Sequence, residues 1–158
     1  MAIERHLRVE ITIAAPVADV WARVSDHENT PSWVAEVKSV RLTQEGAPER
    51  GGVGAVREVV FRPRMWTAVL ERITLHRPQE RFHYVLFQGM PGLLAHEGRV
   101  IVEPAGAGAS TLRWEVDFQF RSLHWFRPFV PSFLQQFEGV LRGGLATLKG
   151  QLEARPAA

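Results

Sequence analysis

Five polar side chains interrupt what is otherwise an apolar strand pattern: Arg57, Glu71, Tyr84, Gln88 and His96. Each falls in an alternating set whose other members are mostly apolar, such as Ala55, Val59 and Phe61 around Arg57, or Val69 and Ile73 around Glu71. A carboxyl group or an imidazole in such a setting acquires the perturbed proton affinity that general acid–base chemistry uses, so Glu71 and His96 are the catalytic candidates. A guanidinium and a carboxylate on an apolar face need each other or a ligand, because an unpaired buried charge is very costly. Arg57 and Glu71 therefore read either as a structural ion pair or as groups that orient a polar ligand in an apolar cavity.

Other chemistries find little support. His96 and Glu97 are adjacent, and neighbouring strand residues point to opposite faces, so they cannot chelate one ion from a regular strand. The remaining histidines are scattered, with no pair at i, i+4, and no metal site is expected. Ser25, Asp26 and His27 are the residue types of a hydrolytic triad, but three consecutive residues cannot form its geometry. They read instead as the end of one helix and the start of the next. Gly106-Ala107-Gly108 leads from one strand into another, so it marks a hairpin and not a dinucleotide loop. The chain has no cysteine, which removes disulfides, thiolate metal sites and thiol nucleophiles. A formal charge of +2 gives no concentrated basic face for nucleic acid. No cofactor is implied.

The elements that must position these side chains follow from periodicity. Residues 6–14 alternate Leu7, Val9, Ile11 and Ile13 with polar neighbours, the pattern of a half-buried strand. Pro16 suits a first helical turn, and Val17, Val20, Trp21 and Val24 give a short helix. Residues 28–34 form a second short helix carrying Trp33. Strands are then expected at 37–43, 55–61, 66–75, 81–88, 95–103 and 110–120, with a Gly- and Pro-rich loop at 44–54. Short turns between them make the sheet antiparallel. Pairing Val102 near Leu112, Leu86 near His96, Leu75 with Phe82 and Phe61 with Met65 puts all five polar residues on the inner face, with Arg57 diagonal to Glu71. One slip of register would turn a strand over.

Phe129, Phe133, Phe137, Leu141, Leu145, Leu148 and Leu152 recur at steps of three and four, which predicts one amphipathic helix over residues 129–153 lying on that sheet. Gly139, Gly143 and Gly144 fall inside it, where each disfavours the helix by about 1 kcal/mol relative to alanine. They point to close packing on the sheet or to the wall of a cavity.

This order resembles the START-like (helix-grip, SRPBCC) superfamily, in its polyketide cyclase/dehydrase branch. The similar stretches are Ile13-Ala14-Ala15-Pro16 with Val20-Trp21, Asp26 through Pro31 with Trp33, Gly52-Val53-Gly54 with Arg57, Glu71-Arg72-Ile73 with Pro78, and Gly144-Leu145 through Leu148-Lys149. The resemblance spans almost the whole chain and implies one domain over residues 1–158. It implies an α+β fold: a seven-stranded curved antiparallel sheet wrapped around a long C-terminal helix, with two short helices after the first strand. It also implies a deep cavity between sheet and helix, in a superfamily whose members bind lipids, sterols, hormones, isoprenoid quinones and polyketides, and of which a minority catalyse cyclisation or dehydration.

The expected partner is thus a small hydrophobic molecule bearing a polar group. Trp114, Phe118, Tyr84, Leu86, Phe133, Phe137 and Leu141 would form the apolar wall, and Arg57, Glu71, Gln88 and His96 would orient the ligand. The rival reading is a cyclase, aromatase or dehydratase using Glu71 or His96, and a third is a protein-interaction module. Charge in the first residues and the lack of a long apolar run make the cytoplasm the expected location, with no integral membrane segment. The aromatic stretch around Trp125, Phe126 and Phe129 reads as a helix entrance, a cavity mouth, a membrane-facing entry or a homodimer contact.

Overall fold

The computed structural model describes residues 2–62, 68–122 and 124–154. Strand β1 (Ala2–Ile13) leads into helix α1 (Val17–Val24) and a 3-10 turn (His27–Ser32). Six strands follow: β2 (Val37–Gln44), β3 (Val56–Phe61), β4 (Ala68–Arg77), β5 (Arg81–Gln88), β6 (Leu93–Pro104) and β7 (Ser110–Arg121). A short 3-10 turn (Arg127–Phe129) then opens helix α2 (Val130–Glu153). The strands form one seven-stranded sheet in the order β1-β7-β6-β5-β4-β3-β2, antiparallel throughout. This is the expected helix-grip architecture. β1 starts earlier than its alternation suggested, because Ala2 to Arg5 also pair with β7, although Arg5 interrupts the apolar series of Ile3, Leu7 and Val9.

The expected register is observed at Val102↔Leu112 and at Ile73↔Tyr84, but Leu75 is not opposite Phe82. The ladder shifts between Ile73 and Leu75, so that His76 pairs with Phe82. A bulge turns the strand over locally. His76 consequently faces inward, its ring 5.5 Å from that of Trp21, in the place expected for Leu75. The expected Phe61–Met65 pairing and the inward Thr67 lie outside the described residues.

Helix α2 buries Val130, Leu134, Phe137, Leu141, Gly144, Leu145, Leu148 and Leu152. From Phe137 onward this is the expected stripe. Before it, Phe129 is 64% exposed and Phe133 only half-buried. At about 100° per residue, eight residues back from Phe137 overshoot the stripe by roughly 80°, whereas seven residues miss it by only about 20°. Val130 and Leu134 thus take the buried places. Of the four glycines in α2 only Gly144 packs closely: a Cβ there would lie 3.1 Å from Val34 and 3.5 Å from the Cε3–Cζ3 edge of Trp33. Gly139 and Gly143 are exposed, with no atom within 4 Å of an added Cβ. Among the described residues, no helix is long and apolar enough to cross a membrane.

Candidate functional site

A cavity of about 60 Å³ lies between the inner face of the sheet and α2. Arg57, Glu71, Tyr84, Leu86, His96, Trp114, Phe118, Phe137 and Leu141 line it. Two expected members do not. Gln88 is exposed, because the β4–β5 ladder shifts between Leu70 and Glu71 and carries the end of β5 out of phase with the inner face. Phe133 is turned into an aromatic cluster with Phe118, Phe120 and Phe137, at ring separations of 5.6, 5.6 and 5.9 Å.

Arg57 and Glu71 stand directly opposite on β3 and β4, not diagonally, and Arg57 Nε donates to Glu71 Oε2 at 2.6 Å. Both residues are buried. The guanidinium also lies 4.5 Å from the centre of the Tyr84 ring, a cation–π contact strengthened by the burial of both groups. Its Nη1 donates to His27 Nδ1 at 3.0 Å, while His27 Nε2 donates to the Gly51 carbonyl at 3.2 Å. An arginine only donates and a carbonyl only accepts, so His27 is the neutral Nε2–H tautomer. Burial first, then the Arg57 charge, hold its pKa down to about 3. The cavity is therefore lined by one neutralised ion pair, backed by a neutral imidazole.

Tyr84 accepts a hydrogen bond from Trp114 Nε1 at 2.8 Å. No acceptor among the described residues engages its own hydroxyl proton. Burial, reinforced by the Glu71 carboxylate, pushes its pKa up and keeps the phenol protonated. The ring has room because residue 98 is glycine: a Cβ there would fall 2.1 Å from Tyr84 Cζ. His96 accepts the Leu86 backbone N–H on Nδ1 at 3.2 Å, just past the point where the β5–β6 ladder ends at Tyr84↔Gly98. Its ring proton is therefore on Nε2, and burial lowers its pKa. Glu71 and His96, the two acid–base candidates, both face the cavity, each with one polar atom already engaged.

Among residues that the sequence did not assign to the site, His27 of the 3-10 turn reaches it through Arg57, and Trp33 at the end of that turn and Met90 of the β5–β6 connection line it. The sequence puts Trp33 on a short helix without fixing which way it faces, and marks His27 only as a helix start. Neither has a local pattern to mark it, because the segment folds across the sheet from some 30 residues upstream of Arg57. Among the described residues no three His, Asp or Glu side chains converge as a metal site. The aromatic stretch before α2 meets the β5–β6 connection, with Phe126 against Gly92. Trp125 is 69% and Leu94 50% exposed.

The model of the family described as "Polyketide cyclase / dehydrase and lipid transport" matches residues 4–153. Among solved structures, the chain is similar to the Zhui aromatase/cyclase from Streptomyces sp. R1128, with a TM-score of 0.81 at 19% identity, covering 99% of this chain and 98% of that one. It is similar to a START superfamily protein from Mycobacterium smegmatis, with a TM-score of 0.74 at 18% identity over 94% and 97% of the two chains. Norcoclaurine synthase from Thalictrum flavum gives a TM-score of 0.76 at 14% identity over 98% and 89%. No curated protein matches by sequence.

Proposed function

The chain belongs to the polyketide cyclase/dehydrase and lipid transport family, and from that premise we propose that it binds a small hydrophobic molecule in the cavity between sheet and α2. The observation that carries this reading is a buried polar cluster set within an otherwise apolar wall. Arg57, Glu71 and Tyr84 converge there among Val59, Phe118, Val140 and Leu141. Apolar lining with a few convergent polar groups is the signature of a small-molecule site. A core built for stability alone gains little from a buried ion pair. We place the protein in the cytoplasm.

Pockets that enclose drug-sized ligands hold about 300–1,000 Å³. The cavity here is much smaller, so binding requires it to widen. Met90, Leu86 and Phe61 lie at the strand ends nearest the β5–β6 connection and are only partly buried. They are the side chains that can swing aside with least loss of core packing. A catalytic role in cyclisation or dehydration is the alternative, carried by the presence of Glu71 and His96 in the same cavity.

The test is titration with N-phenyl-1-naphthylamine, read by energy transfer from the cavity tryptophans Trp33 and Trp114. Saturation at one probe per chain is expected, with binding abolished by Val140→Trp, which fills the cavity. Binding that survives the filled cavity would place the probe on the exposed Trp125–Phe129 surface and refute the reading.

A further inference from the structure

Two indoles line the cavity, and they differ in one respect. Trp114 Nε1 is satisfied by the Tyr84 hydroxyl, whereas Trp33 Nε1 is buried with no hydrogen-bond partner. Trp33 is 4% exposed. An orphaned buried donor is destabilising, and native proteins rarely leave one without a reason. The orientation of the ring follows from its neighbours. The Cε3–Cζ3 edge rests on Gly144 of α2, so the opposite edge, which carries Nε1, is turned away from the helix. Gly144 is the one glycine of α2 with close neighbours, and its missing Cβ lets this edge of the ring approach the helix.

The other uncommitted groups in the cavity are also mostly donors. Tyr84 uses its oxygen as an acceptor and retains its proton, and Arg57 is engaged only through Nε and Nη1. Glu71 already neutralises Arg57. A carboxylate ligand would add an uncompensated negative charge beside Glu71 in a water-poor space. A pure hydrocarbon would leave the Trp33 N–H as it is. A neutral carbonyl oxygen satisfies the donor without adding charge.

We propose that the Trp33 indole N–H is a ligand-contacting donor and that, together with Tyr84 and Arg57, it makes the cavity selective for neutral carbonyl-bearing molecules over carboxylates and over hydrocarbons of the same shape. This deepens the ligand-binding reading above and rests on it.

Acetophenone, α-methylstyrene and benzoate share one shape and differ in the group presented: a ketone, an alkene or a carboxylate. Their affinities are measured by ¹H–¹⁵N correlation spectra of the protein, following the indole resonances. Acetophenone is expected to bind about five- to tenfold tighter than α-methylstyrene, as one net hydrogen bond implies. It should move the Trp33 indole proton downfield, which the alkene should not. Benzoate should bind more weakly than either. Trp33→Phe assigns the resonance and should abolish the ketone's advantage over the alkene. The affinity ratio and the selective shift in the wild-type protein stand even if that variant fails to fold. Equal binding of ketone and alkene without a selective Trp33 shift overturns the proposal and leaves cavity binding intact. Tightest binding by benzoate also overturns it. No binding by any of the three overturns both readings.

Discussion

Replacing Glu71 with glutamine isolates the charge at the centre of the cavity. The side chains of Arg57 and Glu71 are 8% and 10% exposed. Removing one partner of such a pair leaves the other charged and desolvated, which costs about 3–5 kcal/mol. Arginine cannot escape by losing its proton, so Glu71→Gln should be worse than Arg57→Met, where the orphaned carboxyl can take a proton up. Exchanging both, as Arg57→Met with Glu71→Leu, removes the charges together and should come within about 2 kcal/mol of the wild type. It should not exceed the wild type, because His27 Nδ1 then loses its donor and stays buried. The assay is urea unfolding followed by tryptophan fluorescence. With a slope of about 2 kcal/mol per molar, the Glu71→Gln midpoint should fall by about 2 M and the double variant by about 1 M or less. Strictly additive losses, with the double variant the least stable of the three, would refute the argument that the two charges are held by each other.

Two further perturbations separate packing from protonation. Gly139→Ala and Gly143→Ala should each raise stability by up to about 1 kcal/mol, since both positions are helical, exposed and open, while Gly144→Ala should gain nothing because the new methyl meets Val34 and Trp33. Thermal melts of the three variants decide this; a gain at Gly144 would show the Trp33 contact to be loose. His27, whose pKa is lowered from 6.5 to about 3, binds its proton more readily in the unfolded chain than in the folded one. Its contribution is therefore complete above about pH 6.5 and is lost as pH falls toward 3, on the order of 5 kcal/mol over the whole window. His27→Gln should flatten the acid limb of the stability curve. An unchanged slope in that variant would mean that His27 is not held neutral by burial and Arg57.

The strands were legible because alternation at period two survives local irregularity, and the long helix because its apolar repeat persists from Phe137 to Leu152. What could not be read were the places where one element departs from its own period. The bulge after Ile73 exchanges Leu75 for His76 on the inner face, and the shift near Leu70 carries Gln88 to the surface. Neither leaves a trace in composition. The first turn of α2 was misplaced because steps of four drift around a 3.6-residue helix, so Phe129 fell on the stripe in counting but not in space. Arg57 and Glu71 could be brought near each other from strand spacing alone. His27 and Trp33 could not be added to them, since their approach depends on how a short 3-10 segment closes over the sheet.

The role of the cavity turns on whether it holds a ligand. Native mass spectrometry of the protein after incubation with a total lipophilic extract of cells tests this directly, with identification of whatever is released on denaturation. One neutral hydrophobic adduct per chain, absent from the cavity-filled Val140→Trp variant, is the predicted result. A chain that stays at its bare mass in both proteins, or that carries the same adduct in both, would contradict it.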